Sequence, residues 1–255
     1  MNAEGEFPVT REMIDKLDGW VKRLSGPLLP AEKVVSEGKA EWKFREETPL
    51  VLLIAKAVRI ASGIRAAMTL ADAGFVAECA CLLRVVGDLA VEVIAVAEGE
   101  LRGDRTKAQQ DFIDQYFSRP TVQSAMSSSP PKQDFVGRKD LVKAHVRLAE
   151  IAGQAKEEYR DLLGMVSWGL DGYVHGSYPT AMELYHPGRH EFMVRGHEGE
   201  QRRRVYRTAV NAKVVEVLNA FRFVAIVGRD EALSVELGEA ALRLMQSDDR
   251  AVPSR

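Results

Sequence analysis

The feature that most constrains this chain is its helical hydrophobic period. Apolar residues recur at spacings of three and four along nearly the whole sequence, and strict alternation is almost absent. Because this period is typical of amphipathic helices packed against one another, the sequence predicts an all-α protein built as a multi-helix bundle. The one exception that we expect is a short extended segment at residues 190–195.

Two long apolar segments are predicted to form the centre of the bundle. Leu50–Ala71 and Phe75–Glu98 are rich in Ala, Val, Leu and Ile, and Asp72-Ala73-Gly74 separates them. We expect them to pair as a long antiparallel helical hairpin. Pro49 is interpreted as a break or kink before this hairpin.

Shorter helices are predicted on both sides of the hairpin. The first is capped by Thr10 and stops at Gly26-Pro27. The others are Ala31–Glu47, Asp104–Phe117, Arg138–Val166, a weak helix over Trp168–Leu184, Glu200–Val227 and Glu231–Gln246. The chain is thus predicted to have an N-terminal helical arm (residues 1–49), a helical bundle domain (50–247) and a disordered tail (248–255).

Composition excludes several classes of function. Lys and Arg number 35 against 37 Asp and Glu, so no global field attracts nucleic acid or an anionic membrane. We expect no export signal, because residues 1–8 contain two Glu and no basic residue. No apolar run in the sequence is long enough to span a bilayer, and its two cysteines suit a reducing compartment. Dinucleotide, phosphate-loop, zincin and hydrolase motifs are absent from it. We therefore expect a cytoplasmic protein with no cofactor and no membrane partner.

A stripe of charge on the fourth predicted helix is the first candidate site. Glu78, Arg84, Asp88 and Glu92 share one side of an otherwise apolar helix, and Arg84 and Asp88 are spaced to pair. Such a stripe is either a solvated surface or a polar groove within the bundle. The second interpretation makes Arg84 and Asp88 candidate catalytic residues.

The second candidate is the glycine-rich segment from Trp168 to Pro179. In a helical segment Asp171 would orient the imidazole of His175, four residues later, and Tyr173 supplies a hydroxyl. Histidine titrates nearest physiological pH, so His175 is the default acid or base and Tyr173 its neighbour. The alternative is a tight helix crossing that contains one satisfied histidine.

Histidines are also crowded downstream, at His186, His190 and His197, with Glu183 and Glu191 near them. Pro187 and Gly188 interrupt any helix that would align them, and no spacing matches a zinc motif. We expect no metal site and interpret this region as a polar surface turn.

A basic cluster is the third candidate. Seven basic residues against three acidic ones lie between Arg189 and Lys213, including Arg202, Arg203, Arg204 and Arg207. The cluster opens a predicted helix, where an anion is favourable, so it is a candidate site for RNA phosphate. The alternative is pairing with the acidic last helix.

These motifs together resemble the HEPN superfamily of helical nucleotide-binding and ribonuclease domains. The resemblance spans residues 50–227 and rests on Leu83-Arg84-x-x-x-Asp88 and on Tyr173-Val174-His175-Gly176-Ser177. It implies metal-free RNA cleavage at a dimer interface by an Arg followed, after a short spacer, by a His. Arg138 and His145 have such a spacing at the start of a predicted helix.

Three functions therefore stay open. The first is a HEPN-like protein that binds RNA or cleaves it without metal, with His175 or His145 as base and Arg84 or Arg138 stabilising the transition state. The second is a non-enzymatic dimeric adaptor or scaffold that binds a protein partner. The third is a bundle that binds a small ligand. A homodimer is expected because the central helices are more apolar than one bundle can bury.

Overall fold

Helices form where the three-and-four apolar spacing runs long enough to bury one side against a neighbour. The computed structural model describes residues 7–36, 39–118, 137–151, 157, 160–161, 169–186 and 188–247, and these form an all-α bundle, as predicted. Residues 169–174 are helical. The other helices are α1 (Pro8–Ser25), α2 (Pro49–Ala73), α3 (Val76–Arg102), α4 (Lys107–Ser118), α5 (Arg138–Ile151), α6 (Tyr178–Met182), α7 (Glu200–Val227) and α8 (Glu231–Gln246).

The centre of the fold is the antiparallel pair of α2 and α3. Lys56 pairs with Glu92, and further along α2 Gly63 lies against Val86, so residue numbers rise on one helix as they fall on the other. Gly74 ends α2 with a left-handed φ of 83°, a conformation that glycine adopts without strain. The predicted hairpin is therefore confirmed.

Helix α7 completes the core by packing along both α2 and α3. Arg207, near the start of α7, pairs with Asp72 at the end of α2. Gly228, which directly follows α7, lies next to Leu50 at the start of α2. The helix thus runs antiparallel to α2. Its interior positions, such as Val217 and Phe221, are fully buried, so α7 occupies the middle of the bundle.

Helices α1 and α8 cover this core on one side. Thr10 accepts a buried hydrogen bond of 2.7 Å from Asn211 Nδ2 on α7, and Trp20 Nε1 donates to Glu236 on α8 at 2.7 Å. The predicted cap at Thr10 is wrong, because Pro8 starts the helix earlier and Phe7 takes the capping position. Helix α1 therefore packs on the bundle.

A buried carboxylate joins α4 and α5 to the end of α3. Glu98 is fully buried and accepts from Arg147 Nε and Nη2, each at 2.9 Å, and from Gln109 at 2.7 Å. Burial raises the pKa of Glu98, but the hydrogen bonds from Arg147, Gln109 and Arg102 outweigh it and leave that pKa below its usual value of 4.5. The ionised carboxylate thus holds three helices together.

The predicted helix over Ala31–Glu47 is wrong. Strands β1 (Glu32–Ser36) and β2 (Lys39–Lys43) form an antiparallel hairpin there. Two adjacent β-branched residues, Val34 and Val35, favour a strand, and the sequence provides Gly38, a turn-forming residue type, between the strands.

The other boundaries differ from the prediction in smaller ways. Pro49 starts α2 instead of breaking a helix, because Thr48 accepts from the Val51 N–H at 3.3 Å and proline suits the first helical turn. The expected extended segment at residues 190–195 is confirmed in β4 (Glu191–Phe192), which pairs with β3 (Tyr185–His186). The predicted weak helix is interrupted at residues 175–177. The predicted tail, residues 248–255, lies outside the described residues.

Candidate functional site

A pocket of about 650 Å³ lies where α7 begins, between the helical residues 169–174 and the β3–β4 pair. This volume is in the range of small-molecule and nucleotide sites. Met193 and Val205 supply apolar wall, and Gly199 leaves the start of α7 without a side-chain cap. The polar residues of the wall include Tyr173, Glu183, His186, His197, Arg202 and Tyr206.

Two tyrosines and a glutamate form the polar centre of this pocket. The hydroxyls of Tyr173 and Tyr206 each donate to Glu183 at 2.8 Å and lie 2.6 Å from one another. Burial raises the pKa of Tyr206, and Tyr173 and Glu183 raise it further, so its phenol stays protonated at neutral pH. Because two phenolic protons serve three oxygen contacts, one of the three contacts has no proton at any moment.

Hydrogen bonds set which ring nitrogen carries the proton in the two histidines of the pocket. His197 Nε2 lies 2.6 Å from the Glu183 carbonyl oxygen, and since a carbonyl only accepts, Nε2 donates. His186 Nδ1 accepts from the Arg189 N–H at 3.2 Å. In their neutral forms His197 therefore has an unprotonated Nδ1, whereas His186 has a protonated Nε2.

Arg202 gives the pocket a cation that retains unused donors. Its Nη1 donates to Glu183 Oε2 at 2.9 Å, and its side chain is 40% exposed. No described residue accepts from its Nε or Nη2. A planar guanidinium with free donors is suited to phosphate or carboxylate oxygens.

The other three arginines of the predicted phosphate site, Arg203, Arg204 and Arg207, do not line this pocket. Arg203 Nε donates to the His197 carbonyl at 2.8 Å, and the Nε atom of Arg204 is buried. Arg207 is fully buried and pairs with Asp72 and Glu200. Arg207 therefore lies in an internal ion-pair network, and Arg202 is the member of the four whose guanidinium lines the pocket.

The charged stripe of α3 is divided among several partners. Arg84 pairs with Asp88, as predicted, and its Nε donates to Asp171 at 2.6 Å. Glu92 instead pairs with Lys56 of α2. Arg84 and Glu92 of the stripe thus make contacts between helices, whereas Glu78 is exposed.

The predicted pairing of Asp171 with the His175 ring is replaced by the bond to Arg84. His175 is exposed in the turn after residue 174, and the described hydrogen bond between the two residues joins the His175 N–H to the Asp171 carbonyl. The structure gives no contact between Arg84 and His175 among its described interactions. Tyr173, two residues after Asp171, is the residue of this segment that lines the pocket.

The Arg138 and His145 motif lies elsewhere, on α5. Arg138 begins the helix, and His145 lies two turns later at 7% exposed. His145 is not among the residues that line the described pocket.

Sequence reasoning missed the centre of this site. The sequence places Glu183, His186 and His197 in a predicted polar surface turn without a metal site, and it predicts no role for Tyr206. The available signal was the spacing of Arg202 and Tyr206, which places both on one side of α7 and is confirmed by their shared contact with Glu183. The contribution of Glu183 depends on the tertiary fold.

Neither metal ligation nor membrane insertion is indicated within the described part of the chain. Its His, Cys, Asp and Glu side chains form no group of three that could hold a metal ion. None of its helices combines the length and the apolar character needed to cross a bilayer. Comparison of the chain with protein-family models, curated proteins and solved structures finds no match.

Proposed function

We propose that this protein binds RNA, with one nucleotide held in the pocket at the start of α7. The observation that carries the proposal is Arg202, a partly exposed guanidinium with unused donors in a pocket of nucleotide size. The uncapped helix start beside it favours an anion, because the first-turn N–H groups lack a side-chain acceptor. The HEPN-like resemblance supports the same ligand class.

Each part of the pocket has a role in this proposal. Arg202 and the protonated Nε2 of neutral His186 donate to phosphate oxygens. Met193 and Val205 contact the base or the sugar. The Tyr173, Tyr206 and Glu183 unit positions Arg202, since Glu183 accepts from all three of these side chains. The ligand therefore meets an already oriented guanidinium.

Metal-independent cleavage of the bound RNA is the second candidate function. The specific support is His197, whose Nδ1 is unprotonated when the ring is neutral. This nitrogen would accept the proton of a ribose 2′-hydroxyl as its oxygen attacks the adjacent phosphorus. The bond from phosphorus to the 5′-oxygen of the next nucleotide would break, that oxygen would take a proton from water, and Arg202 would stabilise the negative charge on the phosphorus oxygens. These two residues take the place of the His175 and Arg84 pair expected from the sequence.

RNA binding is tested by fluorescence anisotropy with a labelled 20-nucleotide single-stranded RNA. Arg202→Gln is expected to weaken binding about tenfold, the loss of roughly one good charge-assisted contact. Arg222→Gln is the matched control, since Arg222 is an exposed arginine on the same helix and outside the pocket. Equal losses in the two variants, or no binding at 100 mM salt, would contradict the proposal.

Cleavage is tested separately with transfer RNA and chelator, using His197→Gln, His175→Ala and His145→Ala variants whose folding is checked by circular dichroism. Activity that survives the chelator and is lost in His197→Gln alone supports the second candidate. Intact RNA in every reaction, together with measurable binding, leaves binding as the function. Loss of cleavage in His175→Ala or His145→Ala alone would contradict the role of His197 and identify the general base as the histidine expected from the sequence.

Two further assignments belong to this proposal. A cytoplasmic location is proposed together with the RNA ligand. A homodimer is supported by the exposure of Val58 and Val85 on the central helices, each at 44%. A protein partner and a small ligand in place of RNA are the alternative outcomes. Thermal stabilisation by a mononucleotide without any RNA affinity would favour the small ligand.

A further inference from the structure

The β1–β2 hairpin, named here the arm, carries an apolar face that its own chain leaves open. The pairing of Lys33 with Trp42 and of Val35 with Ala40 places these four residues on one face. Trp42 is 73% exposed and Val35 is 67% exposed. An isolated two-stranded hairpin is marginally stable in water, so covering this face would stabilise it.

The same chain has an open apolar groove on the outer side of α1 and α2. The groove has a volume of about 680 Å³ and lies between Val21 of α1 and Val58, Ser62 and Ala66 of α2. Small side chains at Ser62 and Ala66 leave room for a large ring. Because Trp42 is mostly exposed, the arm does not fill the groove of its own chain.

We propose that the arm of one copy docks in the α1–α2 groove of a second copy, with Trp42 inserted between the two helices. The exchange is reciprocal under a two-fold axis, so both arms and both grooves are covered at once. The inference names a surface for the homodimer proposed above and is independent of RNA binding.

Charge supports this arrangement. Lys33 lies opposite Trp42 on the arm, and Asp18 lies on the groove wall with its side chain 80% exposed. Asp18 already accepts from Arg65 at 3.0 Å, and a carboxylate has room for a second donor. When Trp42 inserts into the groove of the second copy, Lys33 therefore approaches the carboxylate of Asp18 in that copy.

The area involved predicts a dimer of moderate affinity. An aromatic side chain buries about 150–250 Å², and each exchange adds Val35 and the groove walls. Two such contacts reach about the lower limit of specific interfaces, roughly 1,200 Å² in total. We therefore expect a dissociation constant in the micromolar range.

Sedimentation velocity of the full chain between 1 and 200 μM tests the dimer. The mass is expected to rise from 28.3 kDa towards twice that value. Trp42→Glu on the arm and Ser62→Arg in the groove are each expected to raise the dissociation constant at least tenfold. The control is Leu242→Glu, which puts a charge on an exposed leucine of α8 and should leave association unchanged.

Disulfide trapping tests the contact itself. A Val35→Cys chain, which keeps Trp42, is mixed with a tagged Ser62→Cys chain, both carrying Cys81→Ser to remove the partly exposed native thiol. The disulfide between positions 35 and 62 of different chains is expected to dominate. A monomer at 200 μM, a dimer unaffected by Trp42→Glu, or predominant bonding between two copies of position 35 would overturn the proposal. RNA binding is measured on the same variants, so the two proposals fail separately.

Discussion

Arg84 of α3 donates from Nε to the carboxylate of Asp171 at 2.6 Å, across 87 positions of sequence. Arg84 also pairs with Asp88 on its own helix, and its side chain is 14% exposed. The contact fastens helical residues 169–174 to the central hairpin. Since Tyr173 belongs to that stretch and lines the pocket, we expect Arg84 to act as a positioning residue.

Replacement of Arg84 by Met is therefore expected to loosen residues 169–174. Asp88 and Asp171 are 37% and 41% exposed, so water compensates part of the loss and we expect about 1 kcal/mol of destabilisation. Hydrogen exchange should become faster in residues 169–174 than in α7. Arg59→Met, at an exposed arginine of α2, is the control. Equal exchange in both variants would contradict the positioning role.

Arg207→Met is expected to destabilise the bundle by about 2–3 kcal/mol, because it removes a fully buried guanidinium that bonds two carboxylates. Urea unfolding measures the effect. The control is Arg243→Met, which breaks an exposed pair with Glu12 and should cost less than about 1 kcal/mol.

RNA affinity distinguishes the structural role of Arg207 from a role as phosphate ligand. Arg207→Lys keeps the positive charge and, where it folds, is expected to bind RNA as the wild type does. A selective loss of RNA affinity in this folded variant would assign Arg207 to phosphate binding after all.

The free energy of unfolding is expected to depend on pH through Glu98, because the hydrogen bonds that this residue accepts lower its pKa. Its pKa in the folded protein lies below the usual 4.5, so its contribution is present above pH 4.5 and is lost as pH falls through the folded value. Wild-type unfolding free energy should therefore fall below pH 4.5 more steeply than that of Glu98→Gln. Glu239→Gln, at an exposed carboxylate of α8, should follow the wild type. Parallel pH profiles for Glu98→Gln and wild type would show that Glu98 does not contribute.

Gly74→Ala is expected to be more damaging than Gly103→Ala. Both glycines end long helices with positive φ, at 83° and 66°. At Gly74 a Cβ would also collide with the His197 backbone, whereas nothing lies within 4 Å at Gly103. Gly103→Ala therefore measures the cost of placing alanine at a positive φ, about 1 kcal/mol. The further loss of melting temperature in Gly74→Ala measures the cost of the collision with the His197 backbone. Equal melting temperatures of the two variants would contradict this expectation, because they would mean that the His197 backbone moves away from the new Cβ without loss of stability.

Much of the fold follows from local pattern. The predicted limits of α7 and α8 agree with the structure, because their apolar spacing is regular and Gly199 and Asp230 lie just before them. The pattern fails at β1 and β2, where the described apolar residues Val34, Val35 and Trp42 are exposed. There strand propensity at Val34 and Val35 prevails over the general helical trend.

The candidate site was predictable only in part. Tyr173 and Arg202 were selected from composition and spacing, and both line the pocket. Glu183, which binds both of them, comes from a segment that the sequence describes as a surface turn. Its role arises when the β3–β4 region folds against α7, a contact between residues that no local period relates.

Local pattern is sufficient to predict the class of the fold, the central hairpin and the residue types available for chemistry, because helical period and charge spacing are local properties. Which charges meet depends on the tertiary structure. It buries Arg207 against Asp72, joins Arg84 to Asp171 and leaves Arg202 beside Glu183 in an open pocket. The physical reason is that burial and pairing depend on distances between helices, which the pattern within each helix does not contain.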